Sequence, residues 1–422
     1  MVKVIKNEVY KCEIEDITSD GDGVAHIGGM AVFVKSAAVG DVCNVKILKV
    51  KKGYAYGKLE ELISASSSRI EVDCPSFGKC GACSFRHISY EEELRIKRKI
   101  VVDALSRIGR IDVLVKEIIP SPKQNGYRQK AVLPVDADGN VGCYAKHSHR
   151  VVPCESCKLY PPEIARAIDE ITQDNNLKEL GAKYIFVRSS ASKGQIFKAL
   201  IVAKKPNGTV KNVDALNINA SDNNVIFGEK WMSLTENQII TEQVCGLNFR
   251  ISPASFFQVN PSAAELVYNK AMEYAVLDGT GKVLDLYCGV GTISLIAERK
   301  AKSVTGIEIV PQAVEMAKAN AELNGIRNAK FHCTDASKIP AGEYDVVFVD
   351  PIRAGLSEDT MANILRLSPK KIVYVSCKPS TFARDCARFA DGGYSLKEVT
   401  PVDMFPRTTH VECVGVLTKE SK

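Results

Sequence analysis

The stretch Lys282–Glu298, KVLDLYCGVGTISLIAE, decides the fold. Its opening is a strand-length apolar run, its close reads as a helix, and a Gly-x-Gly turn (Gly289, Gly291) joins them. A buried strand feeding a helix through glycines begins a doubly wound α/β sheet. Glycine at such a turn lets the backbone approach a ligand closely. The turn lacks the third glycine of a dinucleotide fingerprint and the Lys-Ser/Thr of a phosphate loop.

Strand–helix alternation continues through SVTGIEIVPQAVEMAKANAELNG, AKFHCTDA, YDVVFVDP and KIVYVSC. Glu308 ends the strand after the glycine turn, at the ~20-residue spacing where an acid meets ribose hydroxyls. Asp335 and Asp350 fall at the ends of the next two strands. Three acids at strand carboxyl ends, with few cations at the loop, suit a cationic adenosyl cofactor better than a pyrophosphate. The pattern resembles a class I S-adenosylmethionine-dependent methyltransferase. A doubly wound sheet for another nucleotide is the competing reading.

The chain has 422 residues, 45% hydrophobic and 25% charged, as in ordinary soluble proteins of two or three domains. No apolar run spans a bilayer and the start is no signal peptide, so a cytoplasmic protein is expected. Its 14 cysteines then imply packing, metal binding or catalysis rather than disulfides. Net charge is +6, and Arg86–Lys130 carries 11 Lys/Arg against 6 Asp/Glu. Such a basic stretch suits a polyanion such as RNA, although a solvated face is the plainer explanation.

Short alternating runs with Gly and Asp turns over residues 1–62 predict a small β-barrel, with Tyr54 and Tyr56 among lysines. The DGxG…GDVxxVKI spacing resembles a TRAM domain, an OB-like RNA-binding barrel. YEEELRIKRKIVVDALSRIG (90–109) predicts a helix with a Leu94, Val101, Leu105, Ile108 stripe and Gly109 as its stop. Residues 115–245 mix short strands with one helix near 161–171, and YIFVRSS pairs with QIFKALIVAKK.

Cys377 follows the KKIVYV strand, before Lys378-Pro379 and an expected helix start at Ser380 or Thr381. A thiol beside Lys378 and a helix N-terminus is expected to be exposed and lowered in pKa. Cys288, Cys333, Cys386 and Cys413 read as core. Glu412 opens the apolar C-terminal strand, where a carboxylate needs a partner or a task, with His410 on the same face. Methylation of uracil carbon 5 needs both groups. Thiolate addition at carbon 6 makes carbon 5 nucleophilic, and a base must then remove its proton.

SFFQVN (255–260), LDLYCGVGTISL, FVDPIRAGL, VSCKPST and MFPRTTHVE together resemble the RNA uracil-5-methyltransferase family, which includes tRNA and 23S rRNA enzymes. The resemblance implies Cys377 as nucleophile and Glu412 as base. It implies that Gln258, Tyr287, Thr292, Glu308, Asp335 and Asp350 line the cofactor and uracil site with Gly289 and Gly291. Ile352 and Lys378 stand where the family usually has Pro and Asn. Cys74-x5-Cys80-x2-Cys83, with Cys154 or Cys157, is a soft-ligand set for zinc or an iron–sulfur cluster. Family resemblance favours a 4Fe-4S cluster on Cys74, Cys80, Cys83 and Cys157. It implies three parts: a TRAM barrel (1–62), a central α+β iron–sulfur and RNA-binding domain (70–245), and a Rossmann-like methyltransferase domain (246–422). The expected partner is RNA, with 23S rRNA favoured over tRNA, bound by a monomer that takes neither DNA nor membrane. The cysteine spacing departs from that of radical S-adenosylmethionine enzymes. A non-catalytic RNA-binding or ribosome-assembly protein is the alternative of another class.

Overall fold

The computed structural model describes residues 3–154, 157–221, 225–253, 255–340 and 342–420. Its largest sheet has seven strands in the order Ala329–Cys333, Ser303–Glu308, Lys282–Leu286, Val346–Val349, Lys371–Ser376, Glu412–Lys419, Tyr394–Val402. The first five are parallel, and Glu412–Lys419 runs antiparallel to both its neighbours. The central strands Lys282–Leu286, Val346–Val349 and Lys371–Ser376 are buried on both faces and apolar at nearly every position, and alternate residues serve opposite cores. Val283, Phe348 and Val373 face one core with Val267 and Ala271 of the Pro261–Ala275 helix. Leu284, Val347 and Ile372 face the other with Phe382 and Phe389 of the Pro379–Asp391 helix. Each fully buried Leu, Val, Ile or Phe contributes about 1.5–3 kcal/mol. The strand order reverses beside Lys282–Leu286, which opens a crevice at the carboxyl edge there.

The N-terminal sheet has six strands in the order Val9–Glu13, Val42–Val50, Tyr54–Ser64, Met30–Lys35, Gly23–Ile27, Asp16–Ile17. Its interior holds Val32, Val34, Cys43, Val45, Ile47 and Ala55. Next along the chain comes a five-stranded sheet, in which Ala182–Ser189 pairs antiparallel with both Ile196–Val202 and Lys130–Pro134. Ile164, Ala167 and Ile171 of the Pro162–Asp174 helix pack on this sheet.

The helix expected over 90–109 is α-helical over Tyr90–Ala104 and closes with a π turn, Leu105–Gly109. Arg110, at φ 52°, takes the left-handed position expected of Gly109. Gly109 is instead required by packing, since a Cβ there would lie 3.0 Å from the Ala383 carbonyl oxygen. Ile108 of the expected stripe is exposed, while Glu93 and Lys97 are buried. Among the described residues no helix is long and apolar enough to cross a membrane.

Candidate active site

The glycine turn leaves the Lys282–Leu286 strand with three residues at positive φ: Tyr287 (66°), Gly289 (55°) and Gly291 (87°). A Cβ on Gly291 would press on Phe331 at 3.1 Å and Ala317 at 3.2 Å, and its φ of 87° would strain any larger residue. A Cβ on Gly289 would meet nothing within 4 Å, which leaves room for a ligand against the backbone. Thr292 begins the next helix. The Gly289 amide donates to Glu308 Oε2 (3.1 Å), while the amides of Ile309 and Val310 donate to Oε1 (2.8 and 2.9 Å). The carboxylate is thereby fixed beside the turn, where a ribose would lie.

Asp335 is exposed and accepts from the Ser337 amide at 2.8 Å. Hydrogen bonding to Ser337 holds its carboxyl below the usual range. Sequence reasoning passed over Asp285, buried in the strand before the turn. Ser294 donates to its Oδ2 at 2.5 Å, its Oδ1 has no partner, and burial pushes its carboxyl up to about 7. A single acid in the apolar run VLDLY was the available signal.

Strand pairing assembles the second half of the site. Ser376 pairs with Cys413 across the antiparallel ladder, so the next step outward juxtaposes Cys377 and Glu412. Asp350 follows the neighbouring Val346–Val349 strand, and burial pushes its carboxyl up to about 7. Glu412 is 5% exposed, and burial followed by the charge of Asp350 pushes it up to about 8. Cys377 is half-buried, and its thiol is raised by burial, then by Glu412 and Asp350. The lowering expected from Lys378 is overturned. The helix starts at Pro379 with Lys378 as its cap residue, and the cation acting on the thiol is Arg353.

Sequence reasoning did not single out Arg353. Its guanidinium hydrogen-bonds the Cys377 thiol, lowers the Glu412 carboxyl and donates to His410 Nδ1 at 2.8 Å. Burial first, then the charges of Arg353, Lys97 and Arg128, push His410 down to about 4, so its ring is a neutral acceptor. Gln258 hydrogen-bonds Tyr268, which lies in the field of Asp350 and Glu412. Phe256 is 70% exposed two residues before Gln258. The site therefore unites a thiol, the buried Glu412 carboxyl, the partly buried Asp350 carboxyl and a cation near a glycine turn able to seat a nucleoside.

The cysteine-rich loop is arranged differently from expectation. Cys80 hydrogen-bonds Cys143, Cys143 bonds Cys154, and Cys154 bonds Cys157. Cys83 sits beside Arg86, within the electrostatic reach of Cys80 and Cys74. Cys74, Cys80, Cys83 and Cys157 thus share one region, but Cys143 joins them unforeseen. Among the described residues no three His, Cys, Asp or Glu side chains are placed to hold a metal ion. The thiols of Cys80 and Cys157 turn to other cysteines rather than to a common centre. Of the cysteines read as core, Cys288, Cys386 and Cys413 are buried, whereas Cys333 is exposed at the end of an edge strand.

A TRAM domain model matches residues 3–59 and a methyltransferase domain model matches residues 277–404. The chain is 39% identical over 447 aligned positions to an uncharacterized RNA methyltransferase of Halalkalibacterium halodurans, covering 98% of each. It is 36% identical to an uncharacterized RNA methyltransferase of Clostridium tetani, covering 99% of this chain and 98% of that one. Among solved structures it is similar to the Pyrococcus abyssi tRNA (uracil-54, C5)-methyltransferase in complex with S-adenosyl-L-homocysteine. That match has a TM-score of 0.79 at 27% identity and covers 97% of this chain and 99% of the other.

Proposed function

Because the chain belongs to the RNA uracil-5-methyltransferase family, we propose that it methylates carbon 5 of a specific uridine in 23S rRNA through a covalent Cys377 adduct. The observation that carries the covalent step is the juxtaposition of Cys377 with Glu412, Asp350 and Arg353 across one strand edge. Arg353 supplies the positive charge that a thiolate requires. The thiolate adds to carbon 6 of the extruded uracil, and the electron pair moves through carbon 5 to the carbon 4 oxygen. S-Adenosylmethionine, when bound, supplies an electrophilic methyl group to carbon 5. Glu412, deprotonated, then takes the carbon 5 proton, and the returning electron pair expels Cys377 from carbon 6. A carboxyl near 8 is a stronger base than an ordinary one and still ionises near neutral pH.

Gly289, Gly291, Thr292, Glu308 and Asp335 are proposed to hold the cofactor, with Tyr287, Gln258 and Asp350 between cofactor and uracil. The open space above Gly289 and the fixed Glu308 carboxylate support that assignment. Phe256 offers an exposed ring on which a flipped base can stack. The proposal extends to a 4Fe-4S cluster on Cys74, Cys80, Cys83 and Cys157. Its support is the soft donor set and the electrostatic contact of Cys83 with Cys74, Cys80 and Cys157. Holding it requires Cys80 and Cys157 to leave their thiol partners, and no catalytic step passes through it. Iron and acid-labile sulfide in anaerobically purified protein test for it.

Denaturing gels of enzyme incubated with RNA and cofactor test the chemistry. Glu412→Gln is expected to accumulate a denaturation-stable protein–RNA adduct, and Cys377→Ala in the same background to abolish it. Absence of adduct in the first variant would sink the mechanism. A tRNA target is the second reading, favoured by the similarity to the archaeal tRNA enzyme. Mapping 5-methyluridine in rRNA and tRNA of a deletion strain separates the two.

A further inference from the structure

Lys130 and Arg188 stand directly opposite each other on the paired strands Lys130–Pro134 and Ala182–Ser189. Like charges so placed destabilise a sheet, and burial removes the water that would screen them. Arg188 is 4% exposed. Its guanidinium donates to neutral acceptors, the carbonyls of Ser252 (3.2 Å) and Ser255 (3.0 Å), and lies over the Phe186 ring. The Lys130 ammonium has no hydrogen-bond or ion-pair partner among the described residues, and burial with the charges of Arg188 and Arg128 pushes it down to about 8. One carboxylate, Glu242, lines the same cavity. Its oxygens are taken by the amides of Ala191, Ser192 and Gln243, at 2.7, 3.0 and 3.0 Å. Two directly opposed cations thus face one cavity whose single carboxylate, Glu242, is held by three backbone amides, which leaves one positive charge unanswered.

The cavity adjoins the reaction centre. Gln258 forms part of its wall and hydrogen-bonds Tyr268, which feels Asp350 and Glu412. The charge of Arg128 reaches both Lys130 and His410. We propose that the Lys130–Arg188 pair is an anion subsite that grips an RNA phosphodiester beside the extruded uridine. This deepens the function proposed above and rests on it in taking RNA as the substrate. A phosphodiester brings a full negative charge and no cation. The cofactor's carboxylate travels with its own ammonium group and is answered without two protein cations. Extrusion turns a nucleotide about its backbone, so a fixed phosphate on rigid strands sets the pivot.

The test measures binding of a hairpin RNA with one loop uridine across a potassium chloride series, by fluorescence anisotropy with full-length protein. Lys130→Gln is expected to weaken binding and to flatten the slope of log affinity against log salt by about 0.7–0.9, the value of one lost phosphate contact. Lys130→Arg restores both. A methylphosphonate at the linkages flanking the uridine weakens wild-type binding to the level of Lys130→Gln and weakens that variant no further. Lys130→Gln melts no lower than wild type, because it relieves repulsion, and its S-adenosylhomocysteine affinity is unchanged. An unchanged salt slope, additive losses from variant and methylphosphonate, or a lower melting temperature would overturn the proposal. Loss of S-adenosylhomocysteine affinity would also overturn it and assign the pair to the cofactor's carboxylate. An enzyme that methylates RNA elsewhere than uridine carbon 5 would leave these binding results intact, so the two readings fail separately.

Discussion

Glu412 and Cys377 are both held in their protonated forms by burial, and Arg353 is the group that opposes this in each. As the proposed base, Glu412 works only when deprotonated. Single-turnover methyl transfer is therefore expected to climb steeply with pH up to about 8, where Glu412 becomes ionised, and less steeply above it while the raised Cys377 thiol continues to ionise. Arg353→Met removes the charge that lowers both groups, so the profile should move to higher pH. At pH 7 the rate should fall, by about tenfold for each pKa unit that the loss of the charge restores. Arg353→Lys keeps the charge but loses the planar fork, and should recover part of the rate. A midpoint unmoved in Arg353→Met would remove Arg353 from the chemistry. Cys377 and Glu412 were legible because each sits at a strand end where its residue type is out of place. Arg353 was not, because it gains meaning only from groups 24, 57 and 59 positions further along the chain, Cys377, His410 and Glu412.

The Tyr90–Ala104 helix and the segment 403–407 form one polar lock. The Lys97 ammonium, wholly buried, donates to Glu93 (2.7 Å), to Asp403 (2.7 Å) and to the Phe405 carbonyl (3.0 Å). Tyr90 donates to Asp403 at 2.7 Å, and the Arg407 amide donates to Glu93 at 2.7 Å. Arg407 adopts φ 70°, and its carbonyl accepts from the amides of Ser84 and Phe85 in the cysteine loop. This segment leads directly to His410 and Glu412. Lys97→Met removes the cation that two buried carboxylates share, leaving Glu93 to Arg407 and Asp403 to the Tyr90 hydroxyl, and should cost up to about 3–5 kcal/mol in denaturant unfolding. In the folded fraction, methyl transfer should fall while S-adenosylhomocysteine affinity holds, because the glycine turn lies on other strands. Equal loss of both would place the lock's effect in general stability. The helix itself was readable from its apolar stripe. Its buried face was not, since EEELRIKRK reads as a solvated run until a segment some 300 residues later covers it.

Across the whole molecule, the N-terminal sheet reaches the segment that leads to His410 and Glu412. A Cβ on Gly21 (φ 82°) would lie 2.8 Å from Thr409 and 3.0 Å from Ser84, so the barrel's turn abuts both the lock and the cysteine loop. On the barrel surface, the rings of Phe33, Tyr54 and Tyr56 lie 5.6–5.9 Å apart, with Tyr54 and Tyr56 more than a third exposed. A base stacked there is worth about 1–3 kcal/mol. Tyr56→Ala should accordingly weaken RNA binding by roughly tenfold and leave S-adenosylhomocysteine binding unchanged. Unaltered RNA affinity would exclude this face as a stacking surface. By itself the sequence determined the doubly wound sheet, the β-rich TRAM unit, the glycine turn and the candidate pair Cys377 and Glu412. These follow from local periodicity and from residue types misplaced at strand ends, which need no knowledge of distant neighbours. The tertiary structure alone decided the direction of the Cys377 shift, the parts played by Arg353, Lys97 and Asp285, and the facing of Lys130 with Arg188. Each depends on burial and on charges brought together from remote segments, and chain order carries neither.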